Sequence, residues 1–260
     1  MMGMLVSHLF LWFLFYSFAG WVYESILVSC QERRPVNRGF LNGPLCPIYG
    51  TGAVLAVMLL GRIDNVLAIF LLSAIGASVL EYATSWGMER LFHARWWDYS
   101  DFRFNLNGRV CLLGAVVFGI GGVAIVKLVH PWVAGITDML PVPVMHWLVF
   151  VCFVLLVIDC SVSVAGVMDF EHQLAMFTEF VQLHAEKAGD TWEWGKDVFS
   201  EKLRGWSSSS QEILSRLQGA TSHILSKQQQ RMIRAFPHFK TLRYGHVVDT
   251  IREIMRRGER

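Results

Sequence analysis

Charge is what this sequence is short of. Only 17% of its 260 residues are Asp, Glu, Lys or Arg, against 53% hydrophobic, and the mean hydropathy is +0.40. Soluble domains carry about 25% charged residues, so a water-soluble enzyme with a polar shell is excluded, and so is a disordered chain. A strong basic excess is missing too: the net charge is +2, which leaves no electrostatic footprint for nucleic acid. The five cysteines (Cys30, Cys46, Cys111, Cys152 and Cys160) form no CxxC and no zinc spacing, which argues against a disulfide framework and a zinc site. No GxxxxGK[ST] occurs, and the glycine-rich Gly114–Gly122 has no lysine, so the chain holds no ATP on a P-loop of its own. HExxH and GxSxG are absent as well. Neither a metal nor a cofactor is expected. The first 32 residues contain no Lys or Arg, so the apolar start reads as an uncleaved membrane helix rather than a removable leader.

What is there is long apolar runs. Five stretches suit a hydrocarbon core of roughly 30 Å: Leu5–Ser29, Cys46–Leu60, Val66–Gly87, Val110–Val129 and Val144–Val164. The second is short and rich in Gly and Pro, and the Phe40–Gly50 loop before it reads either as a re-entrant, broken-helix entry or as a tight surface turn. Lys and Arg in the successive connections number 3, 1, 4 and 0, with 14 in the tail. By the positive-inside rule the first and third loops and the C-terminus are cytoplasmic and the N-terminus is outside. The expected architecture is all-α: a polytopic bundle of about five transmembrane helices over residues 1–170, then a cytoplasmic helical tail over 171–260. In the tail, Leu174, Phe177, Val181, His184 and Ala188 recur at helical spacing. Polar Arg204–Ser210 interrupts this stripe, Ile213, Leu217, Ala220 and Ile224 form a second, and a last helix starts near Val247. Small residues four apart (Gly52/Ala56, Ala74/Ser78, Ala115/Gly119) allow close helix packing.

Three acids interrupt the apolar helices: Glu24, Glu81 and Asp159. Each lies about 22–29 Å from the outer end of its helix, hence toward the cytoplasmic side. An intramembrane acid costs a few kcal/mol unless it is paired or wet, which makes it a candidate functional group; the alternative is an ion pair with Arg38 or Arg109 that closes the bundle. The two cytoplasmic loops add Asn37, Arg38, Cys46 and Tyr49, then Trp97, Asp98, Tyr99, Asn107 and Arg109. Guanidinium forks beside amides and aromatic rings can grip a phosphate or carboxylate head group. The tryptophans also fit an interfacial aromatic belt.

Long motifs run through these same residues. Tyr16–Ser25 (YSFAGWVYES), Asn37–Gly52 (NRGFLNGPLCPIYGTG), Leu80–Trp86 (LEYATSW), Ala94–Leu112 (ARWWDYSDFRFNLNGRVCL) and Arg231–Tyr244 (RMIRAFPHFKTLRY) resemble the bacterial ABC-transporter type IV permease family, the CmpB-like membrane proteins. The resemblance implies a transport subunit served by an ATPase in trans, and brings no substrate with it. On the residues alone two other readings stay open. One is a membrane-embedded enzyme acting on a lipid or head group, with Glu24 or Glu81 as acid and base and an arginine for the anion. The other is a non-catalytic scaffold whose tail recruits a cytoplasmic partner. The first places a polar substrate site, and no enzyme, at the cytoplasmic end of the bundle, in contact with membrane lipid.

Overall fold

In a computed structural model, residues 2–187, 219–237, 239–241 and 244–258 are described. Ala188, the Arg204–Ser210 joint, Ile213 and Leu217 lie outside the described residues. The chain is all-α and, among the described residues, has four two-residue strands: α1 (Met2–Glu32), α2 (Pro47–Leu60), α3 (Val66–Phe92), β1 (Ala94–Arg95), β2 (Asn105–Leu106), β3 (Val110–Cys111), α4 (Leu112–Ala124), α5 (His130–Asp138), α6 (Val142–Met168), α7 (Phe170–Lys187), α8 (Lys227–Ala235), β4 (Lys240–Thr241) and α9 (Gly245–Gly258). Among the described residues, four helical stretches are long and apolar enough to cross a membrane: Gly3–Glu32, Val66–Phe92, Leu112–Asp138 and Val142–Glu179. Helix α2 is not among them. Its 14 residues reach about 21 Å.

Contacts divide the chain into two compact units, residues 1–91 with 97–163, and residues 92–96 with 164–260. In the first unit α1 and α2 lie close together because glycine permits it. A Cβ on Gly20 would run into the Tyr49 ring, and one on Gly50 into the Phe13 carbonyl and the Ser17 hydroxyl. Tyr16, Ala53 and Val133 form a buried cluster with Trp12, Ile125 and Val129 packed on it. Two polar links cross the same interface: Trp12 Nε1 donates to Thr137 Oγ1 at 3.0 Å, and Tyr16 Oη meets His130 Nδ1 at 3.2 Å. Gly119 faces Phe70, and Gly122 faces Ser73, which is the use of the small residues on α4.

The segment before α2 runs back along α1. The Val36 amide donates to Ser29 Oγ (2.9 Å), the Arg38 amide to Ser25 Oγ (3.2 Å) and the Cys46 amide to the Ser17 carbonyl (2.9 Å). Partners at 29, 25 and 17 trace a descent to the middle of a 31-residue helix, and α2 starts there. Non-helical backbone at such depth has to find protein partners for its amides, and the three serines of α1 supply them.

The fourth apolar stretch runs further than Val129. Pro131 signals a stop, yet the helix continues to Asp138 through a π-turn at Ile125–Val129, whose closing bond joins the His130 amide to the Ile125 carbonyl. Five-residue bonding re-phases the ladder where proline offers no N–H. The connection between the apolar stretches that begin at Val110 and Val144 therefore shrinks to Met139–Pro141.

The second unit has a core of its own. Leu174, Phe177, Phe239, Val247, Val248 and Ile251 are all fully buried. Strand β1 pairs antiparallel with β4, Ala94 opposite Thr241. Trp96, one of the tryptophans that fit an interfacial belt by sequence, is 2% exposed and packs edge-on against Phe92 and Phe239, both at 5.5 Å. Helix α8 opens with a reciprocal Ser226–Gln229 capping box, and Gln229 Nε2 also donates to the Gly166 carbonyl at 2.8 Å.

Candidate functional site

Two polar groupings form in the first unit. The first is built on α1 and the descending segment. Arg38 Nε lies 3.4 Å from Glu24 Oε2, and the Tyr49 hydroxyl donates to Glu24 Oε1 at 2.5 Å. Asn37 Oδ1 accepts from Trp21 Nε1 at 2.7 Å and from the Gly39 amide at 3.3 Å, which shapes the turn that delivers Arg38. Cys46 is buried, and its thiol donates to the Arg38 carbonyl at 3.7 Å. Below Glu24, the ring of Tyr49 lies 6.2 Å from that of Tyr23 and 6.1 Å from that of Phe118.

The second grouping is built on α3 and the β2–β3 hairpin. Asn107 and Gly108 both take positive φ, +55° and +67°, and the Arg109 amide closes the turn on the Leu106 carbonyl at 3.0 Å. This is the backbone that an Asn-Gly pair favours in a hairpin. A Cβ on Gly108 would in addition press on Ser100 Oγ and Asp98 Oδ1. The turn sends Arg109 back to α3, where its Nη2 pairs with Glu89 Oε2 at 3.0 Å and its Nη1 reaches Ser85 Oγ at 3.4 Å. The guanidinium also lies over the Tyr82 ring, 5.5 Å from its centroid. Asn107 Nδ2 donates to the Tyr82 hydroxyl (3.1 Å), and Trp97 Nε1 to the Arg109 carbonyl (3.0 Å). Asp98 instead caps its own loop through the Ser100 amide at 3.0 Å.

Glu81 stands apart from this pairing. It is 6% exposed, and the Tyr99 hydroxyl donates to its Oε1 at 3.0 Å. Among the described residues it has no Lys, Arg or His partner. Burial pushes the Tyr99 hydroxyl far above its ordinary range, and the charge of Glu81, the hydrogen bond to it and the charge of Glu24 push the same way. Tyr99 therefore stays a donor at any physiological pH.

The charges can be tallied. Glu24 is offset by Arg38 and Glu89 by Arg109, so both forks that could grip an anion already hold a carboxylate. Glu81 is left as a buried acid with a hydroxyl and no cation. Of the eleven sequence candidates, Glu24, Arg38 and Tyr49 meet in the first grouping with Asn37 and Cys46 beside them; Trp97, Asn107 and Arg109 meet in the second; Tyr99 holds Glu81, and Asp98 is turned to its own loop. Sequence reasoning missed Tyr82, Ser85 and Glu89. The available signal was spacing: Glu81, Ser85 and Glu89 recur every four residues on one face of α3.

Among the described residues no cluster of His, Cys, Asp and Glu could hold a metal ion. Comparison with curated proteins gives no match, and comparison with solved structures gives none either. A family described as "Putative ABC-transporter type IV" matches residues 11–164. That stretch is more than half of the chain and contains every residue of the site, so the chain belongs to this family of ABC-transporter components.

Proposed function

We propose that this family member is the membrane subunit of a transporter in a bacterial inner membrane, that its polar site opens at the cytoplasmic face, and that Glu81 receives a cationic ammonium group of the solute. The observation that carries the reading is the buried carboxyl of Glu81, held by Tyr99 and facing no cation among the described residues. A charge of that kind inside an apolar bundle is costly until an opposite charge joins it. The aromatic rings of Tyr49 and Tyr99 suit a cation further, since ring faces attract positive charge. An anion head group fits less well, because Arg38 and Arg109 are both already neutralised.

The orientation rests on the alternation of Lys and Arg between connections, which puts the N-terminus outside and the tail in the cytoplasm. In this arrangement the second crossing is made by the descending segment together with α2. Energy would come from an ATPase in trans, as the family implies and as the missing P-loop requires. The tail is where a cytoplasmic partner would dock.

The test is ligand-dependent unfolding of the protein in lipid nanodiscs. A ligand at 100 times its Kd stabilises by about 2.7 kcal/mol, and a chain of this size shifts by roughly 2–4 °C per kcal/mol. Choline or methylammonium is expected to raise the midpoint of the wild type by several degrees. Glu81→Gln, which keeps the shape and removes the charge, is expected to accumulate normally and give no shift. A shift with inorganic phosphate and none with the amines would overturn the reading.

A further inference from the structure

Asp159 sits deep in α6, the most apolar of the spanning helices, and makes no ion pair among the described residues. Its carboxylate accepts the Asn42 amide on Oδ1 at 2.9 Å and the Gly43 amide on Oδ2 at 2.8 Å. Ser163 Oγ adds a third donor to Oδ1 at 3.2 Å, and Asn42 Nδ2 in turn donates to Ser163 Oγ at 3.1 Å. One side chain therefore accepts two consecutive backbone N–H groups of the segment that descends to α2. Both oxygens are used, and each bond is charge-assisted.

The rest of α6 gives it little hold on that segment. Phe150, Phe153, Leu155, Val157 and Ile158 are all more than 45% exposed. Lipid can cover such a surface without fixing its position. The amides of Asn42 and Gly43 have no comparable freedom, because a hydrogen bond fixes direction as well as distance. Gly43 also fits the arrangement sterically, for a Cβ there would lie 2.9 Å from Asp159 Oδ2.

We infer that Asp159 is the positioning residue of the site loop. By taking the Asn42 and Gly43 amides it holds residues 37–50 in the conformation that lays Arg38 and Tyr49 on Glu24. The placement of α6 and the closure of the site then form one coupled variable, and an outward shift of α6 frees the loop. The inference concerns the loop alone and stands whatever the site binds.

Cys46 reports on it. Its thiol is buried within this loop and bonded to the Arg38 carbonyl, while buried Cys111, which caps α4 at the Gly114 amide, is an internal reference. The rates of N-ethylmaleimide addition at both cysteines are measured by peptide mass spectrometry on the full chain in nanodiscs. Asp159→Asn offers one acceptor and aims an NH2 group at the second amide, so Cys46 is expected to react at least tenfold faster with the rate at Cys111 unchanged. Gly43→Ala pushes the carboxylate aside more gently and is expected to raise the Cys46 rate severalfold. The control Ser161→Ala, on the same helix but bonded only to the Val157 carbonyl, is expected to change neither. An unchanged Cys46 rate in Asp159→Asn would overturn the inference, and so would an equal rise at both cysteines. Should Asp159→Asn fail to accumulate, Gly43→Ala decides by the same two criteria.

Discussion

Arg109→Ala is expected to destabilise the helix bundle by about 3–5 kcal/mol, the scale for removing one partner of a buried ion pair. Arg109 is 7% exposed, and its guanidinium makes a 3.0 Å contact with Glu89, a contact with Ser85 and a cation–π contact with Tyr82. Alanine removes all three and leaves the Glu89 carboxylate without this guanidinium in a poor solvent for charge. Lysine keeps the charge but not the flat fork, so Arg109→Lys is expected to fall between wild type and Arg109→Ala. Adding Glu89→Gln to Arg109→Ala is expected to recover part of the loss, and a double-mutant cycle read by thermal unfolding in nanodiscs gives the coupling. Strictly additive losses would show that the pair does not hold the hairpin to α3. Glu81→Gln carries the opposite expectation, normal accumulation, since Glu81 holds no cation in place.

The second large effect is in the other unit. Phe239→Ala is expected to cost about 3–5 kcal/mol, the usual range for a buried phenylalanine. The ring is fully buried and lies 5.5 Å from both Trp96 and Phe170, one from each chain segment of the unit. Its neighbour Lys240 is in β4, which completes the two-stranded ladder with β1. Losing the ring therefore loosens the ladder and the α7 contact together. Limited trypsin digestion is the measurement: cleavage after Arg95 and Lys240 is expected to accelerate at least tenfold, with cleavage after Arg62 unchanged. Equal acceleration at all three sites would mean that the two units do not open separately.

Much of the fold can be read from the sequence because apolar length is a direct physical requirement of a bilayer. The runs from Leu5, Val66, Val110 and Val144 stand out for that reason, and the Leu174/Phe177 stripe marks a helix with one buried face. The Asn107–Gly108 pair announces its turn through the backbone that only such residues adopt readily. Other features depend on geometry that no one-dimensional pattern carries. Pro131 looks like a stop, and only the π-turn at Ile125–Val129 lets the helix run on. Trp96 looks like an interfacial aromatic until β1 carries it to Phe239. In the site, the candidate carboxylates and guanidiniums could be named, but not who pairs with whom. Arg109 takes Glu89 because the hairpin returns it two helical turns beyond Glu81, and that displacement leaves Glu81 uncompensated. Asp159 reads as one more intramembrane acid, since its partners are backbone amides, which every residue but proline possesses.

The presence of a cation site at Glu81 is tested most directly by equilibrium binding of radiolabelled choline to the nanodisc-embedded protein. One choline per chain is expected for the wild type and for Asp98→Asn, whose carboxylate caps its own loop, with binding lost in Glu81→Gln. Undiminished choline binding by Glu81→Gln, or saturable binding of labelled phosphate by the wild type where choline does not bind, would contradict it.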